Sequence, residues 1–308
     1  MTALWLARRL ALTVLVVLGA ATAAFAAVHL APGDPARTLL GNSSPTPELL
    51  ERVRHDLGLD RPLWAQYGLF LKDLVTGDLG RSYQLQESVS DLIGDQIWAT
   101  AQLALAAFVV ALVVSVLLAV ATAGRPAWRR ISSAFELVAV SSPPFWTGVL
   151  LLSLLSFRLH WFPVAGGEGV AGLALPAATL AFGLVGVFTQ VLREEVERTL
   201  DQPFVLSSRA RGTKEFTVRV RHALRHAFIP MATLSGWTVG ALLSGAVVIE
   251  TVFNRQGLGR IMATAITNRD LPVVTGVVVV SAALFTLINI LVDWLYQVVD
   301  PRLKESLR

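Results

Sequence analysis

Residues 99–123 read ATAQLALAAFVVALVVSVLLAVATA and contain no charged side chain. A helix crossing a hydrocarbon core needs about 20 mostly apolar residues, because every backbone N–H and C=O must find its partner inside the segment. This stretch meets that requirement with residues to spare, and five others resemble it, at about 10–30, 132–157, 171–192, 228–252 and 273–298. Over the 308 residues, 54% are hydrophobic and 16% charged, where a soluble domain carries about 25% charge. A soluble enzyme is excluded, and the sequence predicts an all-α integral membrane protein with six transmembrane helices. With no cysteine, disulfides, thiolate metal sites and cysteine nucleophiles are excluded as well.

The short polar segments set an orientation, since Lys and Arg near span ends are retained on the cytoplasmic side. With the N-terminus inside, the inner segments hold Arg8, Arg9, Arg125, Arg129, Arg130, eight basic residues between 193 and 225, and Arg302, Lys304 and Arg308. The short outer loops hold only Arg158, Arg255, Arg260 and Arg269. Both termini are therefore expected in the cytoplasm. The basic balance is a topology signal, and no nucleic acid is expected as partner. Arg8-Arg9, the apolar run and Ala24-Phe25-Ala26 resemble a signal peptide. Leu10 to Leu30 is longer than the roughly 7 to 15 residues of a signal h-region, which favours a retained anchor.

Residues 31–98 form the long outer segment, with Asn42-Ser43-Ser44 read as loop. Thr46-Pro47-Glu48 starts a helix striped by Leu49, Leu50, Val53 and Leu57 and closed by Gly58. A second helix is capped by Asp60, opened by Pro62, faced by Leu63, Trp64, Tyr67, Phe70, Leu71 and Leu74, and ended by Gly77-Asp78-Leu79-Gly80. A small helical extracytoplasmic module is expected.

Several chemistries are missing. No phosphate loop occurs, because Gly212-Thr213-Lys214 lacks the upstream glycine. Neither H-E-x-x-H nor G-x-S-x-G is present. His222 and His226 have a ligand spacing, but Arg221 and Arg225 beside them would repel a cation. Among ionisable groups in the spans, Glu136 and Asp293 stand near inner ends, where a structural pair and a proton relay are both open. Ser141-Ser142-Pro143-Pro144 breaks the third span. Gly236, Gly240 and Ser244 form a small-residue stripe, suited equally to packing within the chain and to a partner.

The inner loop 193–230 reads as folded. Asp201 and Pro203 open a short helix, Phe204 to Arg211 continue it, and Gly212 stops it. Small residues Ser207, Ser208 and Ala210 allow its backbone to enter a groove, while Arg209 and Arg211 can pair with carboxylates there. A second helix from about Thr213 to Pro230 would lay Phe216, Val220, Ala223, Leu224 and Ala227 on the core. The alternative is a basic helix touching anionic lipid.

Ser207-Ser208-Arg209-Ala210-Arg211-Gly212, followed by Arg221-His222-Ala223-Leu224-Arg225 and Ile229-Pro230, is similar to the coupling motif of ATP-binding-cassette importer permeases of the oligopeptide and dipeptide family. The resemblance continues in His29-Leu30-Ala31-Pro32-Gly33-Asp34-Pro35-Ala36, Leu57-Gly58-Leu59-Asp60-Arg61-Pro62-Leu63 and Gly77-Asp78-Leu79-Gly80-Arg81-Ser82. Near the other end it takes in Glu250-Thr251-Val252-Phe253-Asn254, Gly257-Leu258-Gly259-Arg260, Asn268-Arg269-Asp270 and Asp300-Pro301-Arg302. Ser207 and Ser208 stand where relatives often carry Thr and Ala, and His226 where Asn is common.

The resemblance implies the type I permease fold and a transport subunit rather than an enzyme, in a multi-pass bacterial plasma-membrane complex. Its implied partners are a second homologous permease, two ATPase subunits that bind ATP and Mg, and an extracytoplasmic substrate-binding protein. The chain itself would hold no cofactor. Ser207, Ser208, Arg209, Ala210, Arg211, Gly212 and Pro230 would couple to the ATPases. The implied organisation is 1–30 as N-terminal segment and first span, 31–98 as the outer module of the first permease of the pair, and 99–308 as permease core. Dipeptides or oligopeptides are the implied solutes, with nickel chelates, glutathione and other small solutes as alternatives in the family. An intramembrane enzyme would need a nucleophile or metal set, and a stand-alone secondary carrier an ion-coupling charge cluster.

Overall fold

The computed structural model describes residues 3–30, 36–37, 46–56, 58–164, 166 and 169–299. Ala31 to Pro35, Asn42-Ser43-Ser44, Leu57, Asp300-Pro301-Arg302, Lys304 and Arg308, all singled out above, lie outside the described residues, as does the side chain of Asp293. The described residues form helices joined by short connections, with one isolated bridge between Arg81 and Ser88. In chain order the helices are α1 (Ala3–Leu30), α2 (Pro47–Asp56), α3 (Leu63–Thr76), α4 (Val89–Thr122), α5 (Pro126–Ser141) and α6 (Pro144–Leu151). There follow α7 (Gly169–Leu200), α8 (Pro203–Ala210), α9 (Glu215–Thr217), α10 (Phe228–Val252), α11 (Leu258–Thr267) and α12 (Leu271–Val299). Two π-helical segments, Leu152–Arg158 and Val218–Ala223, continue α6 and α9.

Among the described residues four helices, α1, α4, α7 and α12, are long and apolar enough to cross a membrane; counting α5 with α6 as one broken span gives five. The expected third span is not one helix. Its halves meet at 106°, because Pro143 and Pro144 remove two consecutive N–H donors and hold the preceding residue extended. Ser142 accordingly stands at φ −81°, ψ 123°. Its hydroxyl returns to the Val138 carbonyl at 2.6 Å. α4 starts at Val89, ten residues before the expected edge of the second span.

The chain divides into two compact units. The first comprises Met1–Ala99 and Arg260–Leu287. There the end of α1 packs on α3: the Phe25 ring lies 5.2 Å from Tyr67 and 5.5 Å from Phe70, and Tyr67 Oη is 2.7 Å from Thr22 Oγ1. Asp60 does not cap α3; Pro62 stands at the N-cap, with no side-chain bond. Gly77 closes that helix at φ 79°, a conformation that disfavours any side chain. Asp270 is buried and ties two of the quoted motifs together. Its carboxylate accepts the Ser82 hydroxyl, the Tyr83 N–H at 3.0 Å and the Gln84 N–H at 3.2 Å. Burial and this carboxylate raise the Tyr83 phenol above its usual range.

The second unit comprises Thr100–Gly259 and Ile288–Arg308. Its core is a seam of Leu103, Ala107 and Ala111 from α4, Leu184, Phe188 and Leu192 from α7, and Leu242, Ala246 and Ile249 from α10. α7 is the most buried of the four long apolar helices. It meets α5 through small residues: a Cβ on Gly186 would stand 2.8 Å from the Glu136 carbonyl oxygen and 2.7 Å from Val140 Cγ2.

Replacing Gly186 by Leu should therefore destabilise the purified chain by about 1–3 kcal/mol through overpacking, read as a lower thermal midpoint in detergent. A Cβ on Gly183 would stand 3.7 Å from the Ala139 oxygen, so Gly183→Ala should leave the midpoint nearly unchanged.

Candidate functional site

The segment from Asp201 to Ala227 is built as a small helix held on a platform. Pro203 sets the first turn of α8, and Gln202, not Asp201, occupies the N-cap, without a side-chain bond. At the other end Gly212 takes φ 80°. Thr213 N–H reaches back to the Ser208 carbonyl at 3.3 Å, and Gly212 N–H to that of Arg209 at 2.9 Å. That is the expected glycine stop. Nothing lies within 4 Å of a Cβ built on Gly212, so only its backbone angle demands glycine.

The faces of α8 differ from the sequence expectation. Val205 and Ser208 are buried, and the Ser208 hydroxyl donates to Thr213 Oγ1 at 3.1 Å. Ser208 therefore faces the chain itself. Exposed are Phe204, Leu206, Ser207, Ala210 and Arg211. Arg209 is also occupied internally, in a bidentate pair with Glu215 at 3.1 and 2.6 Å. Glu215 is held below the usual carboxylate range by the hydrogen bond from Arg209. Pro230 stands in the first turn of α10. The His226 ring lies 5.7 Å from that of Phe204.

The platform departs from an ordinary helix. Residues 218–223 are π-helical, so positions five apart share a face. Val218 and Ala223 are both buried, joined by Ala123, Val196, Leu200 and Val205. Phe216 and Val220, expected on the core by helical spacing, are exposed. Arg219 is buried in their place. Its Nη1 donates to the Val120 carbonyl at 3.2 Å. Desolvation lowers its pKa, with Arg125 adding to the effect.

Above the platform, Glu136 forms a buried ion pair with Arg193. The guanidinium meets both carboxylate oxygens, with Nη2 to Oε2 at 2.6 Å. Ser132 donates to Glu136 at 2.6 Å, and Arg193 donates to Ser132 and Ser133 at 3.2 Å each. Of the two readings open for Glu136, the geometry supplies the structural pair.

Glu250, quoted above only within a motif, is a buried charge: it falls inside the expected fifth span and its side chain is fully buried. Thr100 Oγ1 donates to its Oε1 at 2.6 Å and Gly259 N–H to its Oε2 at 2.7 Å, while Leu258 N–H donates to Thr100 at 2.8 Å. A Cβ on Gly257 would stand 2.2 Å from this carboxylate, and one on Gly259 2.3 Å from Val247 Cα. The glycines of Gly257-Leu258-Gly259 are there to let a carboxylate and a helix backbone approach. An ionisable residue inside an apolar run was the available signal.

Removing one partner of the Glu136–Arg193 pair leaves a buried charge, for which losses of about 3–5 kcal/mol are typical. Glu136→Ala should thus sharply lower the thermal midpoint and yield of folded chain. Glu136→Ala combined with Arg193→Met should restore much of the loss.

Two family models match the chain: "Binding-protein-dependent transport system inner membrane component" over residues 111–305, and the N-terminal region of the membrane component of such systems over residues 1–104. A Brucella suis (biovar 1, strain 1330) chain, provisionally named a peptide transport system permease protein, is 39% identical over 312 residues, covering 98% of this chain and 99% of its own. The dipeptide transport system permease of Alkalihalophilus pseudofirmus is 32% identical, with 96% and 98% covered. The glutathione transport system permease of Escherichia coli O6:H1 is 34% identical, with 91% and 92% covered. The membrane-crossing helices, the motifs that fold around Asp270 and Glu250, and matches spanning both ends agree: the chain belongs to the binding-protein-dependent transport system inner membrane components, as a multi-pass permease subunit of an ATP-binding-cassette importer and not an enzyme.

Proposed function

We propose that this permease forms half of the translocation pathway of a peptide importer, most suited to dipeptides or oligopeptides, with a second homologous permease as the other half. Two ATPase subunits, which carry ATP and Mg, and an extracytoplasmic substrate-binding protein complete the assembly. Six spans with both termini cytoplasmic fit the charge distribution, with α5–α6 as a broken span and α10 as the fifth. Residues 1–30 are then the first span, 31–98 the outer module and 99–308 the core containing the coupling loop 193–230. Nickel chelates or glutathione remain the alternative solute classes, as one relative's name illustrates.

The observation that carries the coupling role is α8 itself. Its buried side is seated on the platform by Val205 and closed onto Thr213 by Ser208, while small Ser207 and Ala210 stand outward between the exposed apolar Phe204 and Leu206. A short rigid helix seated this way transmits displacement of a partner groove into the ends of α4 and α7. Arg211 and Gly212 belong to its outer end, and Pro230 fixes the start of the helix beyond. Arg209 serves by closing the segment onto Glu215.

Ser207→Trp and Ala210→Trp should abolish co-purification of the ATPases while leaving membrane insertion intact. Arg209→Lys should loosen the Glu215 pair, since an ammonium cannot reproduce the bidentate fork, and weaken solute-stimulated ATP hydrolysis. Full assembly and stimulation in all three variants would refute the coupling assignment.

The topology has its own test, made clean by the absence of native cysteine. Cysteine placed at Glu87 should react with an impermeant maleimide in intact cells, and cysteine placed at Arg211 only after permeabilisation. The reverse pattern would invert the orientation.

A further inference from the structure

From the N-cap into the first two turns of α5 the chain places three arginines within six residues, Arg125, Arg129 and Arg130. With Ser133, Glu197 and Asp201 they line an open cavity of about 670 Å³. The acids do not cancel the arginines evenly. Glu197 is committed, 3.2 Å from Arg129 and accepting the Gly124 N–H at 3.3 Å. Asp201 is exposed at the margin. Arg125 gives one N–H to the Ala121 carbonyl at 2.9 Å, and Arg130 is exposed to solvent.

Behind the cavity lies Arg219, buried, with its Nε lacking a partner. Its Nη2 comes within 3.7 Å of where a Cβ on Gly124, a lining residue, would stand. The cavity wall is therefore backed by an incompletely neutralised guanidinium. On the adjoining turns of α5, Trp128 and Ile131 are 60% and 64% exposed. They lie three apart on one helical face. Arginines beside an exposed tryptophan and an apolar side chain are the arrangement of a membrane–water boundary.

We propose that this cavity binds the phosphate-bearing headgroup of an anionic phospholipid, with Arg125 and Arg130 on the phosphate and Trp128 and Ile131 against the glycerol and upper acyl chain. The same arginine chemistry would accept free phosphate, but an inorganic ion makes no use of the apolar pair. The site goes beyond the coupling role and draws on the same topology, which puts residues 123–130 in the cytoplasmic leaflet region. Binding is measured in detergent, where orientation plays no part, so failure here is distinguishable from failure of the topology.

The experiment titrates purified full-length chain with dioleoylphosphatidylglycerol or dioleoylphosphatidylcholine and counts bound lipid by native mass spectrometry. Wild-type chain should prefer the anionic lipid, and Arg125→Gln with Arg130→Gln should weaken that binding by roughly tenfold or more. Arg129 is spared because it holds Glu197. Asp201→Asn, which removes a lining negative charge, should tighten it, and this arm stands even if the double variant fails to fold. Equal binding of the two lipids, or no change in any variant, would overturn the proposal. Displacement of the anionic lipid by millimolar inorganic phosphate would assign the site to a soluble anion and overturn the lipid source.

Discussion

In a hydrocarbon environment an unpaired backbone N–H or C=O costs several kcal/mol, so each segment that enters must satisfy its own backbone. This constraint accounts for the architecture of the described residues. It also explains where the architecture bends. The Ser142-Pro143-Pro144 break withdraws the two amides that would bond the Ala139 and Val140 carbonyls, while the Val138 carbonyl one position earlier keeps the Ser142 amide and accepts the Ser142 hydroxyl as well. Pro176 inside α7 is buried among neighbouring side chains, where packing can absorb the missing bond. The two π-helical segments keep their hydrogen bonds while shifting which side chains face inward.

Buried charge follows the same logic one level up. Glu136, Glu250 and Asp270 are each removed from water, and each receives a donor from an element distant in sequence: the Arg193 guanidinium, the Thr100 hydroxyl, and the Ser82 hydroxyl with the Tyr83 and Gln84 amides. Nearer in the chain, Ser132 supplements Glu136 and the Gly259 amide supplements Glu250. Because a carboxylate left unpaired would be costly, these groups specify one arrangement of the elements around them. Glycine has a matching role at two places. Gly257 and Gly259 admit Glu250 and Val247 at distances that no Cβ would permit.

The segment around α8, proposed above to couple to the ATPases, divides its labour along one short helix. Val205 seats α8 against the buried face of the π-helical platform, Ser208 closes it onto Thr213, and Arg209 locks its end to Glu215. The side chains left outward are small or apolar, with Arg211 beyond them. A partner that grips this face moves a unit rather than a flexible loop. The proposed mechanical role depends on that stiffness more than on any individual charge.

The sequence by itself determined the all-helical membrane class, the approximate extent of the long apolar helices, the glycine stops at Gly77 and Gly212, and the family, because these depend on local composition, backbone angles and ordered motifs. Tertiary structure decided the rest. Helical spacing put Phe216 and Val220 on the core, but a π-helical turn rotated that face and buried Val218 and Arg219 instead. Arginines in a basic loop gave no indication that Arg209 would be taken by Glu215, since six residues of chain can close in many ways. Glu136 found Arg193, Glu250 found Thr100, and Asp270 found Ser82 across separations of 57, 150 and 188 residues. No local pattern encodes such pairings; they follow from which helices pack together and from the penalty for leaving a buried charge alone.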